Sequence, residues 1–384
     1  MKKTVFIMML MVLLVGALTA CQPQTIVETV EVEVVKEVEV EKEVEVIKEV
    51  EVEVEKEVIV EVEADRPVVI GYSAPSLVGG QLDIQDAFTK KAQAKGWQVV
   101  TTNANGDSQK QLNDIEFLIT SGVDSIVAVP NDSQAICSAV ESAKEAGVPF
   151  YTIDRAPIGC SIDMIVQADN RLGGQQAGQA VIDFLTERYG EPMGKVLEVT
   201  GDLGQNVGVL RRDGFHDILD TYENVEVIQK VGNWDAAIGQ QAVLDVATAN
   251  PDLDAIYYHS DFVYTGGTLE ALSQLGMLHK RGEEGHIFIA SIDGGPFGCD
   301  AIRNGEADFA ASQPIPDFGI INDWIEMKLN GEEFEVGEVV QEGALWSPAN
   351  VFLNDDGTFE LYLSTIPTSI DNVEEPALWC NTGN

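Results

Sequence analysis

The sequence of 384 residues predicts an α/β protein whose parallel β-sheets are covered by helices on both faces. Beyond Arg66, short runs rich in β-branched residues alternate regularly with longer amphipathic runs, which is typical of strand–helix–strand units. The length and a hydrophobic content of 45 % are sufficient for two globular domains with hydrophobic cores.

Residues 1–20 have the pattern of a signal peptide. Two lysines precede an apolar run over residues 5–15, which is shorter than the roughly 20 residues that a membrane-spanning helix needs. The sequence Leu-Thr-Ala-Cys that ends at Cys21 resembles a bacterial lipobox, whose cysteine is lipidated and becomes the new N-terminus. We expect Cys21 to be lipidated and to anchor the chain to the cell membrane by its acyl chains. A plain signal peptide with a chance cysteine is the alternative.

Residues 21–65 form an acidic repeat in which valine alternates with glutamate and lysines recur mostly at a spacing of six. A period of two is a strand pattern, but an unpaired strand this acidic repels itself. We therefore expect a solvated, extended tether. A coiled coil is the alternative, although the repeat has no heptad seam.

The formal net charge of −41 argues against nucleic acids and anionic lipid surfaces as partners, because both are themselves negative. If Cys21 is lipidated, four cysteines remain, and an even number in an exported chain suggests two disulfides. Three pairings are possible. We favour Cys137–Cys160 with Cys299–Cys380, because the first pair brackets a single predicted strand.

The alternation defines ten strands beyond residue 66, which we predict at Val68–Tyr72, Gln98–Thr102, Ser125–Val129, Phe150–Ile153, Ile165–Gln167, Val196–Thr200, Val225–Gln229, Ala255–Tyr258, Ile287–Ser291 and Asp308–Ser312. Helices predicted between them include Gln81–Lys95, Ser108–Thr120, Ser133–Ala146, Leu172–Tyr189 and Ala236–Ala249. Ligands of parallel sheets bind outside the carboxyl ends of the strands, so the residues just after each strand are candidate site residues. Most of these are polar: Ser73, Asp154-Arg155, Asp169-Asn170, Gly201-Asp202, Asn233-Trp234-Asp235, His259-Ser260-Asp261, Asp293-Gly294 and Gln313.

Several of these residues, in their order and spacing, carry a family resemblance. The motifs are Asn103-x-x-x-Asp107, Gln111, Ser121-Gly122-Val123-Asp124-Ser125-Ile126, Pro130-x-Asp132, Asp154-Arg155, Asp169-Asn170-Arg171-Leu172-Gly173-Gly174, Asp293-Gly294 and Gln313-x-x-Pro316. Over roughly residues 66 to 345 the chain resembles the ribose-type periplasmic sugar-binding proteins of bacterial ABC importers.

The resemblance implies the type I periplasmic binding protein fold, which has two doubly wound parallel-sheet lobes joined by a three-segment hinge. It places the N-terminal lobe at residues 66–168 plus 314–345 and the C-terminal lobe at residues 169–313 plus 346–384. The three crossings between the lobes are then expected near Ala168-Asp169, near Gln313-Pro314 and around Gly343–Pro348.

The resemblance also implies a sugar site, since a sugar needs charged hydrogen-bonding groups for its hydroxyls and an aromatic plate for its ring. Asp154 and Arg155 would bind neighbouring hydroxyls, and Arg211 would reach them from the second lobe. Trp234 stands at the family's stacking position. Asp293 would be a further hydroxyl acceptor, and Gln313 an amide partner at the hinge.

Departures from the family point to a ligand other than ribose, namely another monosaccharide, a polyol or a sugar-like signal. Ser76-Leu77-Val78-Gly79-Gly80-Gln81 follows the first strand, where the family usually has asparagine and paired aromatics, and we expect Gln81 to supply a replacement contact. Ser73, at the end of that strand, is a further expected ligand-binding residue. Val129 and Ser260 replace asparagines, and Ile292 replaces an aromatic residue.

Several site residues also have purely structural explanations. Asp154 and Arg155 could form an ion pair at the rim, and Trp234 could cover the edge of the core. Asp169 is expected to be a helix N-cap, and Gly173-Gly174 with Gly178 a packing face. A turn is expected at Asn354–Gly357, in preference to a calcium loop.

The function implied by the resemblance is capture of a sugar or polyol by hinge closure, followed by delivery to the permease of an ABC importer. We expect a monomer outside the cytoplasm, in the periplasm or at the cell surface, with no cofactor and no metal. A sensor that docks a membrane receptor is the main alternative. An enzyme is disfavoured because His216, His259, His279 and His286 are scattered along the sequence, and a repressor because no helix-turn-helix precedes the core.

Overall fold

The computed structural model describes residues 66–382. The predictions for the signal peptide, Cys21 and the repeat of residues 21–65 lie outside these residues. Strands and helices are numbered separately along the chain below.

The first sheet contains eight strands within residues 66–382, in the order β11-β12-β13-β5-β4-β3-β1-β2. All neighbours pair in parallel except at β12, which is antiparallel to both of its neighbours. The strands are β1 Val69–Ala74, β2 Gln98–Asn103, β3 Ser125–Ala128, β4 Phe150–Ile153, β5 Met164–Ala168, β11 Gly337–Val339, β12 Ala349–Leu353 and β13 Phe359–Leu363.

The second sheet contains six strands of the described chain, in the order β14-β10-β9-β8-β6-β7. Only the edge strand β14 runs antiparallel to its neighbour. The strands are β6 Gly194–Thr200, β7 Val225–Val231, β8 Ala255–Tyr258, β9 Phe288–Asp293, β10 Phe309–Ser312 and β14 Ile366–Thr368.

Helices cover both faces of each sheet, as the buried apolar runs of the central strands require. In β4, Tyr151 and Ile153 belong to one hydrophobic cluster and Phe150 belongs to the cluster on the opposite face. The helices are α1 Gly80–Ala94, α2 Ser108–Thr120, α3 Cys137–Glu145, α4 Asn170–Tyr189, α5 Asn206–Leu219, α6 Ala236–Ala249, α7 Asp261–Leu275, α8 Pro296–Asn304 and α9 Ile321–Leu329. None of the helices within residues 66–382 combines the length and the apolar character needed to cross a bilayer.

The predicted fold class is confirmed, and most element bounds agree to within two residues. The clearest difference is α3, which was predicted from Ser133 and begins at Cys137. The side chain of Asp132 accepts hydrogen bonds from the backbone N–H groups of Gln134 and Ala135 at 2.9 and 2.7 Å. This turn competes with helix formation and delays the start of α3.

The chain passes from the first lobe to the second between β5 and α4, and it returns between β10 and a short 3₁₀-helix at Ile315–Ile320. The third crossing was predicted around residues 343–348, and this prediction is wrong. Strands β12 and β13 pair into the first sheet, with β13 alongside β5 in parallel register. Residues 349–363 therefore belong to the first lobe. The third crossing lies later than predicted, between Leu363 and Ile366.

Residues 66–382 contain two disulfides, Cys137–Cys160 in the first lobe and Cys299–Cys380 in the second, and these are the two pairs that the sequence favoured. Asn354–Gly357 forms the turn between β12 and β13, where the side chain of Asn354 accepts hydrogen bonds from the backbone N–H groups of Asp356 and Thr358. Among the described residues, no group of three or more His, Cys, Asp or Glu side chains is placed to hold a metal ion.

Helices α4 and α5 pack backbone against backbone through glycines. A Cβ at Gly174 would lie 2.3 Å from the carbonyl oxygen of Arg211, and one at Gly214 would lie 2.1 Å from the carbonyl oxygen of Arg171. Because the obstructing atoms are backbone atoms, these positions tolerate no side chain. The approach fixes α5, which carries Arg211, against the hinge helix α4.

We expect Gly174→Ala to lower the free energy of unfolding by about 1–3 kcal/mol or more, because overpacking forces the two helices apart. The matched control is Gly266→Ala in α7, where an added Cβ meets no heavy atom within 4 Å. That substitution should be neutral or stabilise by up to about 1 kcal/mol through helix propensity. Urea denaturation measures both, and equal stability of Gly174→Ala and wild type would contradict the packing argument.

Candidate ligand-binding cleft

The carboxyl ends of the two sheets face each other, and hydrogen bonds join the two lobes along one side. Gln205 Nε2 donates to the carbonyl oxygen of Asn131 at 2.9 Å. Asn206 accepts from the backbone N–H of Ala156 at 3.0 Å and donates to Gln167 Oε1 at 3.1 Å. Since Gln205 and Asn206 belong to the second lobe and their partners to the first, the two lobes are in direct contact on this side of the cleft.

In the first lobe, Asp154 and Arg155 follow β4 and are nearly covered, with 7 % and 11 % of their side chains exposed. Asp154 has a φ of 67°, a left-handed conformation that non-glycine residues adopt mainly where the surroundings enforce it. Gln81 Nε2 donates to Asp154 Oδ2 at 2.9 Å, and Arg155 Nε lies 3.6 Å from the same oxygen. The guanidinium of Arg155 also donates to the carbonyl oxygen of Pro130 at 3.2 Å.

Burial raises the pKa of the Asp154 carboxyl, and the guanidiniums of Arg155 and Arg211 oppose that rise. Burial lowers the pKa of the Arg155 guanidinium, because it disfavours the charged form of this group too, and Asp154 opposes that change. Arg211 belongs to the second lobe, so its influence on Asp154 acts across the cleft. Each lobe thus contributes one acidic and one basic group to the same region, where the low dielectric constant strengthens the interactions between charges.

In the second lobe, Arg211 is 4 % exposed and held at three points. Its Nε donates to Asn170 Oδ1 at 2.7 Å, and its Nη1 donates to the carbonyl oxygen of His259 and lies 3.0 Å from Asp293 Oδ1. Asp293 also accepts a 2.5 Å hydrogen bond from Ser260 Oγ. Ser260 thus orients a predicted site residue.

Trp234 packs on the hydrophobic core of the second lobe, as the structural explanation expected, and it also borders the charged groups. Its Nε1 donates to Gln205 Oε1 at 2.7 Å, and the guanidinium carbon of Arg211 lies 5.5 Å from the ring centroid. The ring lies against Gly201, where any Cβ would come within 2.0 Å of it. Trp234 therefore connects the core, the contact between the lobes and Arg211.

The hinge residues bind the site residues directly. Gln313 Nε2 donates to Asn170 Oδ1 at 3.3 Å, the same oxygen that receives Arg211 Nε, and the Gln313 backbone N–H donates to the carbonyl oxygen of Asp293 at 2.7 Å. Asp169 caps α4 by accepting from the backbone N–H of Leu172 at 2.9 Å, which confirms the predicted N-cap. Two of the crossing segments thus hold the groups that line the cleft.

Three predicted site residues have buried polar atoms without a hydrogen-bond partner within the described chain, namely Ser73 Oγ, Gln81 Oε1 and Arg155 Nε. Buried polar groups in proteins are nearly always paired. These three belong to the first lobe, near the end of β1, at the start of α1 and after β4. Two of them, on Gln81 and Arg155, belong to side chains that contact Asp154 and therefore lie beside the site.

Sequence reasoning missed a buried carboxylate beneath the second half of the site. Glu198 on β6 is fully buried, and its two oxygens lie 3.0 Å from His259 Nε2 and 3.1 Å from His216 Nε2. Gln229 Nε2 donates to Oε2 at 2.6 Å. Burial by itself would raise the pKa of Glu198, but the hydrogen bonds from His216 and His259 lower it to about 2.

This cluster positions the backbone around Arg211 and Trp234. The backbone N–H of Gly201, which lies under Trp234, donates to His259 Nδ1 at 3.1 Å, so the proton of this ring is on Nε2 and points at Glu198. Burial lowers the pKa of His259, whereas the hydrogen bond to Glu198 raises that of His216 to about 9. The carbonyl oxygen of His259 in turn accepts from Arg211. The two histidines that looked scattered in the sequence therefore support one side of the cleft.

A second buried carboxylate, Asp261, which is one of the polar residues predicted at strand ends, holds the turn after Asp293. Its oxygens accept from the backbone N–H groups of Gly294 at 2.8 Å and Gly295 at 3.2 Å. Burial raises the pKa of Asp261, and the nearby Asp293 adds to the rise. Its position three residues after the end of β8 made it a candidate site residue, but the sequence did not indicate that it holds this turn.

These observations define a class of protein, a two-lobed α/β binding protein with a polar, charged cleft at the hinge. The family model for the periplasmic binding protein domain matches residues 70–322, and the chain belongs to this family. It is 34 % identical over 233 residues to the ribose import binding protein RbsB of Bacillus subtilis (strain 168), which covers 60 % of this chain and 71 % of that protein. It is 28 % identical over 237 residues to the D-xylose-binding periplasmic protein of Escherichia coli (strain K12), covering 60 % and 68 %. The predicted resemblance to ribose-type periplasmic sugar-binding proteins is thereby confirmed.

Solved structures agree with this assignment. A solute-binding protein of an ABC transporter from Mycobacterium smegmatis with bound glycerol is 27 % identical with a TM-score of 0.63, and the match covers 70 % of this chain and 91 % of that one. A solute-binding protein from Bacillus halodurans C-125 with bound myo-inositol is 21 % identical with a TM-score of 0.68, covering 82 % and 99 %. At 21 % identity, the match to the myo-inositol-bound protein shows only that the two folds are alike.

Proposed function

We propose that this chain is an extracytoplasmic solute-binding lipoprotein that captures a monosaccharide or a similar polyhydroxylated molecule by closure of its two lobes and delivers it to the permease of an ABC importer. The observation that carries the proposal is that Asp154 and Arg155 of one lobe face Arg211 and Asp293 of the other across the cleft. Relatives named for ribose and xylose support the same class of ligand.

The chemistry of these four groups suits vicinal hydroxyls. A carboxylate accepts and a guanidinium donates, whereas each sugar hydroxyl does both, so alternating acidic and basic groups can bind adjacent hydroxyls in pairs. Hydrogen bonds to charged groups contribute about 1.5–3 kcal/mol each, and micromolar binding needs only about 8 kcal/mol net. A few such bonds are therefore enough.

Closure follows from the division of the site between the lobes. A ligand that contacts both lobes binds the closed form better than the open form and shifts the population toward it. A permease that recognises the closed shape then receives loaded protein. Gln313 and Asn170 couple the hinge to this change, because they contact both a crossing segment and Arg211 or Asp293.

The ligand we favour is not ribose itself. Val129 and Ile292, at positions where ribose binders have an asparagine and an aromatic residue, are buried in the cores of the two lobes. Ser73, Gln81 and Arg155 supply unpaired polar atoms on the first lobe instead. The site thus keeps its charged groups and Trp234 but has fewer amides and ring contacts, which suits a different sugar or a polyol.

The site predicts a specific loss of binding in Arg155→Ala. A thermal-shift screen of D-ribose, D-xylose, L-arabinose, hexoses, myo-inositol, glycerol and nucleosides should find at least one compound that raises the unfolding midpoint of the wild type, because a ligand of the folded state stabilises it by mass action. Arg155→Ala should weaken the binding of that compound by roughly 100-fold, since the substitution leaves the partner groups of a charged hydrogen bond unpaired.

The control is Arg171→Ala, which removes the same charge from an exposed ion pair with Asp217. It should bind as the wild type does, since exposed pairs contribute little and this one does not face the cleft. A panel without any hit, or equal binding by Arg155→Ala and the wild type, would refute the proposed site.

The lipid anchor and the tether complete the proposal. A tether of about 44 residues reaches on the order of 150 Å at full extension, which keeps the binding protein close to a permease in the same membrane at high effective concentration. Cells grown with labelled palmitate should incorporate label into the wild type and not into Cys21→Ser, and the variant should leave the membrane fraction. Label retained by Cys21→Ser would contradict anchoring through this residue.

A further inference from the structure

The C-terminal segment, residues 366–382, is fixed to the second lobe at several points. Strand β14 pairs with β10, and Cys380 is bonded to Cys299 in α8. Arg303, also in α8, donates to Glu374 at 2.9 Å and to Asn381 at 2.6 Å. The short 3₁₀-helix Trp379–Asn381 is therefore held against the helix that begins just after Asp293.

The side chain of Trp379 leaves this lobe and contacts the other one. It is 7 % exposed and belongs to the hydrophobic cluster of the first lobe, although its backbone lies on the second. Its ring stacks on Phe262 of α7 with centroids 4.9 Å apart and an angle of 19° between the planes. Trp379 and Phe262 thus form an aromatic pair that is anchored in one lobe and buried against the other.

The aromatic pair meets the first lobe at the start of α1. A Cβ at Gly80 would lie 3.3 Å from Trp379, and one at Gly79, whose φ is 55°, would lie 3.2 Å from Phe262. Two glycines in succession permit this close approach, and the positive φ at Gly79 favours glycine independently. The next residue, Gln81, donates to Asp154 in the cleft.

We propose that the C-terminal segment, locked by the Cys299–Cys380 disulfide, uses Trp379 as a positioning residue that stabilises the closed state and holds Gln81 against Asp154. The inference rests on the proposed function in that its consequence is ligand affinity. Loss of the contact lowers the closed population, and apparent affinity falls by the same factor. Since the disulfide fixes the segment that carries Trp379, affinity also depends on the oxidation state of Cys299 and Cys380.

The test compares Trp379→Ala, Trp379→Phe and the double variant Cys299→Ala/Cys380→Ala with the wild type. The dissociation constant is measured by calorimetry for D-ribose and for the compound of the panel that raises the unfolding midpoint most. We expect Trp379→Ala to weaken binding roughly 10-fold, equivalent to about 1.4 kcal/mol, and Trp379→Phe to weaken it about 3-fold or less because a ring remains to stack. The double variant should fall between the wild type and Trp379→Ala, because β14 and Arg303 still hold the segment.

A second readout needs no sugar. Amide hydrogen exchange of residues 79–85 in sugar-free protein should be faster in Trp379→Ala than in the wild type, because the contact on the start of α1 is gone. If exchange responds while no compound of the panel binds, the proposed function fails and the positioning role stands. Unchanged exchange together with unchanged affinity in Trp379→Ala would overturn the inference, and wild-type affinity in the double variant would overturn its dependence on the disulfide.

The matched control is Trp97→Ala. Trp97 is buried to the same degree, at 8 % exposed, and it precedes β2, at the opposite end of the first sheet from the cleft. Its loss should lower the unfolding midpoint without changing affinity or exchange at residues 79–85. A loss of affinity equal to that of Trp379→Ala would show that general destabilisation explains both, and would also overturn the inference.

Discussion

The arrangement on which the rest of the structure depends is a set of opposed charges buried between two lobes. Moving charged groups out of water costs several kcal/mol each unless partners compensate. Asp154 and Arg155 compensate each other within the first lobe, as Arg211 and Asp293 do within the second. Each pair has hydrogen-bonding positions to spare for a ligand, and in the proposed mechanism closure of the lobes brings the two pairs together.

Supporting contacts keep these charges in place. Arg211 is fixed by Asn170 at the hinge and by the carbonyl oxygen of His259, whose ring rests on the buried Glu198. Asp293 is fixed by Ser260 and by the turn that Asp261 holds. The second lobe is therefore preorganised, whereas unpaired polar atoms of the site lie on the first lobe. With this division, a ligand would bind the preorganised groups of the second lobe and pair with the unpaired polar atoms of the first.

Much of this was predictable from the sequence because it depends on local patterns. The run Phe150–Ile153 predicted the bounds of β4 correctly. The rule that ligands bind at the carboxyl ends of parallel strands predicted that Asp154, Arg155 and Asp293 lie at one site. The bounds of α3 were less predictable, because a side-chain turn at Asp132 competes with the helix. The course of residues 349–363 depends on long-range pairing with β5, for which the sequence holds no local signal.

The missed residues share a physical reason. Glu198 stands between the apolar residues Leu197 and Val199 of its strand, and its partners His216 and His259 are 18 and 61 residues away. Trp379 lies beyond the part of the chain that resembles the family, and only the fold brings it to Gly80. Buried polar clusters and contacts between lobes depend on tertiary structure, so periodicity does not reveal them.

The most direct measurement is a crystal structure of the protein with the compound that stabilises it most. The account predicts hydroxyls within hydrogen-bond distance of Asp154 or Arg155 and, at the same time, of Arg211 or Asp293, with the ring beside Trp234. A ligand held by one lobe alone would contradict it. So would a ligand bound elsewhere, for example in the surface pocket of about 420 Å³ beside Lys144, Asp163 and Lys328.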